Sequence, residues 1–237
     1  LASSLTVQDA VTFCSTLIKN QRLDVNNLQP GLGMGNIVLQ RMLGSPFIWR
    51  FNRATFSIAI TEGGGTDYTQ TLPLLGRIEK QWLVDATEAA NIYELNGAQA
   101  LAVVSSIRRP THVAPVYDDN LGDLVFRFNS IPDQDYTANF DYQQKAPLIS
   151  SYGQTFGPVP DEFAYLFLKG FLAEAGLLVN DSRFPLWQRD FAYGLLATQD
   201  GLDEQARNMF LEGFLNVGRT ATRSQMAGQT GGQGRAV

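Results

Sequence analysis

Apolar residues recur every three or four positions at both ends of this chain and every second position in its middle. Near the N-terminus, Val7, Ala10, Val11, Cys14, Leu17 and Ile18 fall on one face of a helix that opens near Ser4 or Thr6. A polar link with Pro30 leads to Gly31-Leu-Gly-Met-Gly35, then to Ile37, Val38, Arg41, Met42 and Leu43, a second short amphipathic helix stopped by Gly44 and Pro46. The glycine run reads as a flexible entry to that helix. A dinucleotide loop would need a buried strand just before it, and Arg22 to Pro30 is mostly polar.

After Pro46 the period becomes two. Phe56, Ile58 and Ile60 alternate with Thr55, Ser57, Ala59 and Thr61, Gly63 to Gly65 make a turn, and Tyr68 to Leu72 return, which predicts a hairpin. Further short strands are expected at Ile78 to Val84, Asn91 to Leu95, Val113 to Tyr117, Leu124 to Phe128 and Tyr136 to Tyr142, with turns at 118–123 and 132–135. Gly97 to Ile107 reads as a short helix. The middle is therefore an antiparallel sheet, a small sandwich or barrel.

The helical period resumes at Pro160, where Asp161 and Glu162 suit the first turn of a helix running to about Val179. Pro185 after Asp181 or Ser182 opens another from Leu186 to Thr198, and Asp200-Gly201 separates a third ending near Val217. Helices, then strands, then helices define an α+β fold in which N- and C-terminal helices form a bundle with an inserted antiparallel β domain and an extended C-terminal tail. The expected divisions are 1–45, 46–150, 151–217 and a flexible basic arm at 218–237.

Composition sharpens this picture. The 237 residues suffice for a sizeable core, and a formal charge of −5 argues against wrapping nucleic acid through a general basic surface. Only 17% of residues are charged, against about 25% in ordinary soluble domains, so part of the surface is expected to be covered by another chain. Removing the three arginines of the acid-free segment Arg219 to Val237 leaves the preceding residues at −8. The apolar stretch Phe163 to Val179 is short for a membrane span and carries Lys169 and Glu174, each costing roughly 2.5 to 3.5 kcal/mol at a bilayer centre. No membrane span and no signal-peptide pattern are expected.

Candidate chemistry is sparse. One cysteine, Cys14, and one histidine, His112, exclude an internal disulfide and a Cys/His metal cluster. His112 follows Arg109-Pro110 with no G-x-S-x-G elbow in the chain, so a structural histidine is favoured over a hydrolase base. Asp118, Asp119 and Asp123 form the densest acidic group; they fall in a turn and lack the spacing of a calcium loop. Trp49, Phe51, Tyr68, Trp82, Phe126, Phe128, Tyr136, Phe140 and Tyr142 could build a stacking platform, but most sit where a sheet needs its core. Two alternatives follow from these groups: a virion surface carbohydrate-binding module, or a carboxylate-based glycan hydrolase. No cofactor is indicated.

The succession Pro46-Phe-Ile-Trp-Arg-Phe-Asn52, an alternating strand, Tyr68-Thr-Gln-Thr-Leu-Pro73 and Arg77-Ile-Glu resembles the middle of tailed-phage head-to-tail adaptors, the tail tubular protein A family of short-tailed phages. Arg109-Pro110, Val116-Tyr117, Leu124 to Phe128, Ile131-Pro-Asp133 and Tyr136 to Tyr142 continue the likeness, which covers roughly Leu5 to Val217. Two departures are a Tyr-to-Pro segment one residue longer than the commonest spacing and the Gly63 to Gly65 turn. The resemblance implies a structural virion protein without an active site, assembled in the host cytoplasm and located at the head–tail connector. Its copies would form a homo-oligomeric ring, usually a dodecamer, under the portal protein. That ring would extend the DNA channel and receive the tail nozzle protein, with DNA passing through its lumen and no sequence-specific binding. It also implies that the basic arm, with Arg219, Arg223 and Arg235, docks on the portal.

Overall fold

A computed structural model describes residues 3–18, 29–72, 74–98, 101, 106–117, 124–199 and 204–213. The protein is α+β, and the chain divides into two compact units, Leu1–Phe51 with Ala146–Val237 and Asn52–Lys145.

The first unit holds helices α1 (Val7–Leu17), α2 (Gln29–Leu43), α3 (Ala164–Val179) and α4 (Phe184–Ala197), and a helical segment at 204–213. Thr6 caps α1 reciprocally: its Oγ1 accepts from the Asp9 amide at 3.2 Å, and Asp9 Oδ2 accepts from the Thr6 amide at 2.9 Å. Val7, Ala10, Val11 and Cys14 then bury the one face that their spacing puts together. Asp161, in a 3-10 turn ahead of α3, accepts from the Ser4 amide at 2.8 Å and from both Ser3 and Ser4 hydroxyls, tying the N-terminal segment to that turn. Asn180 ends α3 in the left-handed conformation, φ 54°, where asparagine is tolerated better than most residues.

These helices share one core. It includes Val7, Val11 and Cys14 of α1, Val38, Leu39 and Met42 of α2, Leu166, Phe167 and Phe171 of α3, and Phe191 and Leu195 of α4. Phe156 stacks on Phe167 at 4.0 Å between centroids, and Trp49 donates its indole N–H to the Met42 carbonyl at 2.6 Å. Small residues let the backbones come close: a Cβ on Gly170 would meet Val38 of α2 at 2.6 Å and Phe191 of α4 at 2.8 Å.

The glycine run departs from its expected role. It lies inside α2 rather than before it, because Gly31 and Gly35 are buried against α1, where Val11 leaves no room for a side chain at Gly31 and Val7 stands close to Gly35. Packing has overridden the weak helix propensity of glycine.

The second unit contains two four-stranded sheets. With strands β1 (Arg53–Ile60), β2 (Asp67–Gln70), β3 (Leu75–Asp85), β4 (Ile92–Glu94), β5 (Asn96–Gly97), β6 (His112–Tyr117), β7 (Leu124–Phe128) and β8 (Tyr136–Gln144), the orders are β1-β8-β3-β4 and β2-β7-β6-β5. All pairs are antiparallel except β5 with β6. Ile58, Ile60, Leu83, Val113, Phe126, Phe128, Ala138 and Phe140, drawn from both sheets, form one core, so the unit is a sandwich.

One expectation fails here. β1 and β2 are not a hairpin: β1 pairs with β8 from Arg53↔Gln143 to Ile60↔Tyr136, and β2 pairs with β7. The turn between them, with Gly63 at φ 67° and Gly65 at φ 96°, carries the chain from one sheet to the other. Of the expected short helix from Gly97 to Ile107, residues 99–100 and 102–105 lie outside the described residues. Its two ends are not helical: Gly97 is in β5 and Ile107 is bridged to Ile131, where sheet hydrogen bonds claim the backbone. The turn at 118–123, the arm at 218–237 and the last residues of the expected third helix lie outside the described residues.

Candidate interaction surfaces

The residues picked out for chemistry do not converge. Cys14 is fully buried on α1, and burial pushes its thiol up to about 12. His112 is exposed at the start of β6, with Nδ1 3.0 Å from the Thr111 hydroxyl and its amide donating to Asn129 Oδ1. Asp118, Asp119 and Asp123, and the arginines Arg219, Arg223 and Arg235, lie outside the described residues. Among the described residues no three His, Cys, Asp or Glu side chains are grouped to hold a metal ion, and no helix is long and apolar enough to cross a membrane. Of the nine aromatic residues, Trp49, Phe126, Phe128, Tyr136, Phe140 and Tyr142 are buried and Phe51, Tyr68 and Trp82 half-buried.

What the described residues do present is unsatisfied apolar surface on the helical unit. Helix α3 is apolar nearly all round, its sixteen residues carrying charge only at Lys169 and Glu174. Such a helix needs neighbours on every side. It has α1, α2 and α4 against it, but between α1 and α4 a sector stays open as a cleft of about 340 Å³. Leu168 and Leu172 form its floor, Phe13, Tyr165 and Trp187 its walls, and Lys169 and Asp190 bring opposite charges to its rim. Tyr165, Leu168 and Leu172 follow the i, i+3, i+7 spacing with which one helix receives another. Phe13, Tyr165 and Leu186 are each over 40% exposed, a large apolar residue apiece left to water. Arg183 lies over the Trp187 ring at 4.8 Å and is held there by Asp181, whose carboxyl the guanidinium draws down to about 2.

The inward side of α3 is electrostatically loaded. Glu174 is buried and pairs with Arg41 of α2; burial outweighs that pairing and raises the Glu174 carboxyl above the usual range.

The sheet unit presents strand edges. Among the described residues β4 pairs with β3 only from Trp82 to Val84, while β8 pairs with β3 along its length, with register shifts between Leu75 and Arg77 and between Ile78 and Lys80. Beside this part of β3 is a groove of about 1240 Å³, lined by Leu75, Ile78, Trp82 and Tyr93 and also by Arg77, Glu79, Lys80 and Glu94. At the far side of the same sheet, among the described residues, β1 has a strand neighbour only in β8.

Sequence reasoning missed both surfaces, although one signal was present. The run from Ala164 to Val179 has more apolar positions than a single buried face can use, and the surplus is what lines the cleft. Nothing in the alternation of the strands indicates where pairing stops. No family model matches the chain, and no curated protein matches it.

Proposed function

We propose that the protein is a structural virion component, a head-to-tail adaptor whose copies form a ring below the portal, extend the DNA channel and dock the tail nozzle. The observation that carries this reading is the open sector of α3: a helix built to be surrounded, with Leu168 and Leu172 on the floor of an apolar cleft ringed by aromatic side chains. Buried aromatic anchors in a pocket with a charged rim are the usual centre of a protein–protein contact. The low charged fraction, 17%, and the family-like order of segments from Pro46 to Tyr142 support the same conclusion. In this reading the helices act as a bundle with an inserted sheet domain. The segment from Gly218 onward, with Arg219, Arg223 and Arg235, is an arm that orders on the portal, each charge-assisted contact contributing roughly 1.5 to 3 kcal/mol.

Negative-stain imaging and native mass measurement of the purified chain, alone and with portal rings, test the proposal. The expected result is a ring, and its loss in Leu172→Glu with the circular dichroism spectrum unchanged. A wild-type chain that stays monomeric under both conditions refutes it. Removing Gly218 onward should abolish co-sedimentation with portal rings while leaving the subunit folded.

A further inference from the structure

The cleft beside α3 opens on one side of the helical unit, and α2 lies on the other. Phe167, Gly170 and Glu174 of α3 meet α2: a Cβ on Gly35 would stand 3.7 Å from Phe167, one on Gly170 would stand 2.6 Å from Val38, and Glu174 pairs with Arg41. Tyr165, Leu168, Lys169 and Leu172 line the cleft. At about 100° per residue, the two groups point in opposite directions from the α3 axis. α2 in turn buries Gly31, Gly35, Val38 and Met42 and turns Gly33, Ile37 and Gln40 to solvent, roughly half a turn around its own axis. The cleft, α3, α2 and this exposed crest therefore stand roughly in line across the unit.

The crest offers the apolar groups that the cleft lacks. Ile37 stands at its middle, 41% exposed. Asn36 Oδ1 accepts from the Ile149 amide at 2.8 Å and its Nδ2 donates to the Ile149 carbonyl at 3.0 Å, which brings Leu148, 73% exposed, alongside.

Charge selects this crest from the exposed helix faces. With Lys169 and Asp190 on the rim, a ridge of single-sign charge loses at one residue what it gains at the other, and its charge must also shed water. Among the described residues, the outward face of α1 carries Asp9 and that of the 204–213 segment carries Glu204 and Glu212. The outward face of α4 bears both Arg189 and Asp190, but Asp190 is itself on the rim, so a contact through that face closes as a two-fold dimer rather than a ring. Gly33, Ile37 and Gln40 carry no charge.

We propose that the cleft takes the α2 crest of a second copy of the chain, with Ile37 seated over Leu168 and Leu172. The proposal rests on the ring reading and specifies which surface of the neighbour fills the site. Crest and cleft are different surfaces on opposite sides of the unit, so the contact is heterologous and repeats from copy to copy until the rotation closes it.

Full-length Ile37→Cys/Leu172→Cys, oxidised and run on a non-reducing denaturing gel, should give a ladder extending past the dimer, which neither single variant gives. Within one chain these two positions point apart on helices whose axes lie about 8 to 10 Å from each other, which sets their Cα atoms about 13 Å apart, too far for a disulfide. Cys14, the one native cysteine, is buried.

A mixing experiment reads the direction of the contact. Ile37→Glu spoils the crest and keeps the cleft, whereas Tyr165→Glu, at a 48% exposed position on the cleft wall, spoils the cleft and keeps the crest. Each alone should form no rings while its circular dichroism spectrum stays that of the wild type. Mixed in equal amounts they should form a dimer and nothing larger by native mass measurement, since one intact crest meets one intact cleft. Rings formed by Ile37→Glu, or wild-type rings without a ladder from the double cysteine variant, overturn this contact and leave the ring reading standing. A wild-type chain that stays monomeric alone and with portal rings overturns both. A dimer from Ile37→Cys alone shows crest packing on crest and overturns the contact, as does a mixture that stays monomeric.

Discussion

The three glycines of the run in α2 should respond differently to alanine, and the difference follows from what stands opposite each. Gly33 is exposed, with nothing within 4 Å of the position a Cβ would take. Alanine there recovers the helix propensity that glycine lacks, about 0.5 to 1 kcal/mol, and should stabilise the protein by that amount. Gly31 would place its Cβ 2.7 Å from Val11 Cγ2, against an optimum of about 3.5 to 4.0 Å. Val11 is itself fully packed in the core, so the contact cannot be relieved by a rotamer change alone. Overpacking of this kind costs about 1 to 3 kcal/mol, and offsetting the propensity gain leaves a net loss of about 0 to 2.5 kcal/mol. Gly35 is intermediate: its Cβ would sit 3.3 Å from Val7 Cγ2, a distance a shift of a few tenths of an ångström relieves. The predicted order is therefore Gly33→Ala above Gly35→Ala above Gly31→Ala. Urea denaturation followed at 222 nm measures it, because the helices lie in one unit. A stabilised Gly31→Ala, or a destabilised Gly33→Ala, would refute the placement of the run inside a helix packed on α1.

Three further outcomes are expected. Glu174 has a raised folded-state carboxyl, so its contribution to stability is fully present below the unfolded value of about 4.5 and is lost as pH rises through the folded value; Glu174→Gln should therefore gain on the wild type between pH 4 and pH 7, and parallel urea midpoints at the two pH values would contradict this. Gly65 has φ 96° with open space around its Cβ position, so Gly65→Ala should lose about 1 to 2 kcal/mol by backbone strain alone, visible as a lower thermal midpoint, and an unchanged midpoint would count against the turn's geometry. His112→Ala, at an exposed position, should stay within about 0.5 kcal/mol of wild type and assemble normally; a larger loss in either measurement would mean the histidine has a partner outside its own chain.

Much of the local structure was legible because local structure obeys short periods. The three-and-four spacing from Val7 to Cys14 and the alternation from Phe56 to Ile60 each depend on one element's geometry, and each element stands where its pattern put it. Capping residues worked for the same reason, since Thr6 and Asp9 need only each other. The fold class followed from the order of those periods along the chain.

Partners were another matter, because pairing is set by contacts between residues far apart in sequence. β1 and β2 are joined by a short glycine turn, yet their partners are β8 and β7, since a sandwich core drawing Ile58, Phe126 and Phe140 together needs adjacent strands on opposite layers. The glycines of α2 looked like a flexible entry until Val7 and Val11 were seen against them; a missing side chain signals freedom or close approach equally well until the neighbour is known. The cleft beside α3 and the groove beside β3 are likewise tertiary facts. Apolar content at Leu168 and Leu172 says that something must cover them, but only the placement of α1 and α4 leaves that sector open, and only the pairing of β4 shows that it meets β3 from Trp82 to Val84. Sequence determines what each segment can bury; the packing of distant segments decides what remains unburied, and on this protein that remainder is where its partners are to be sought.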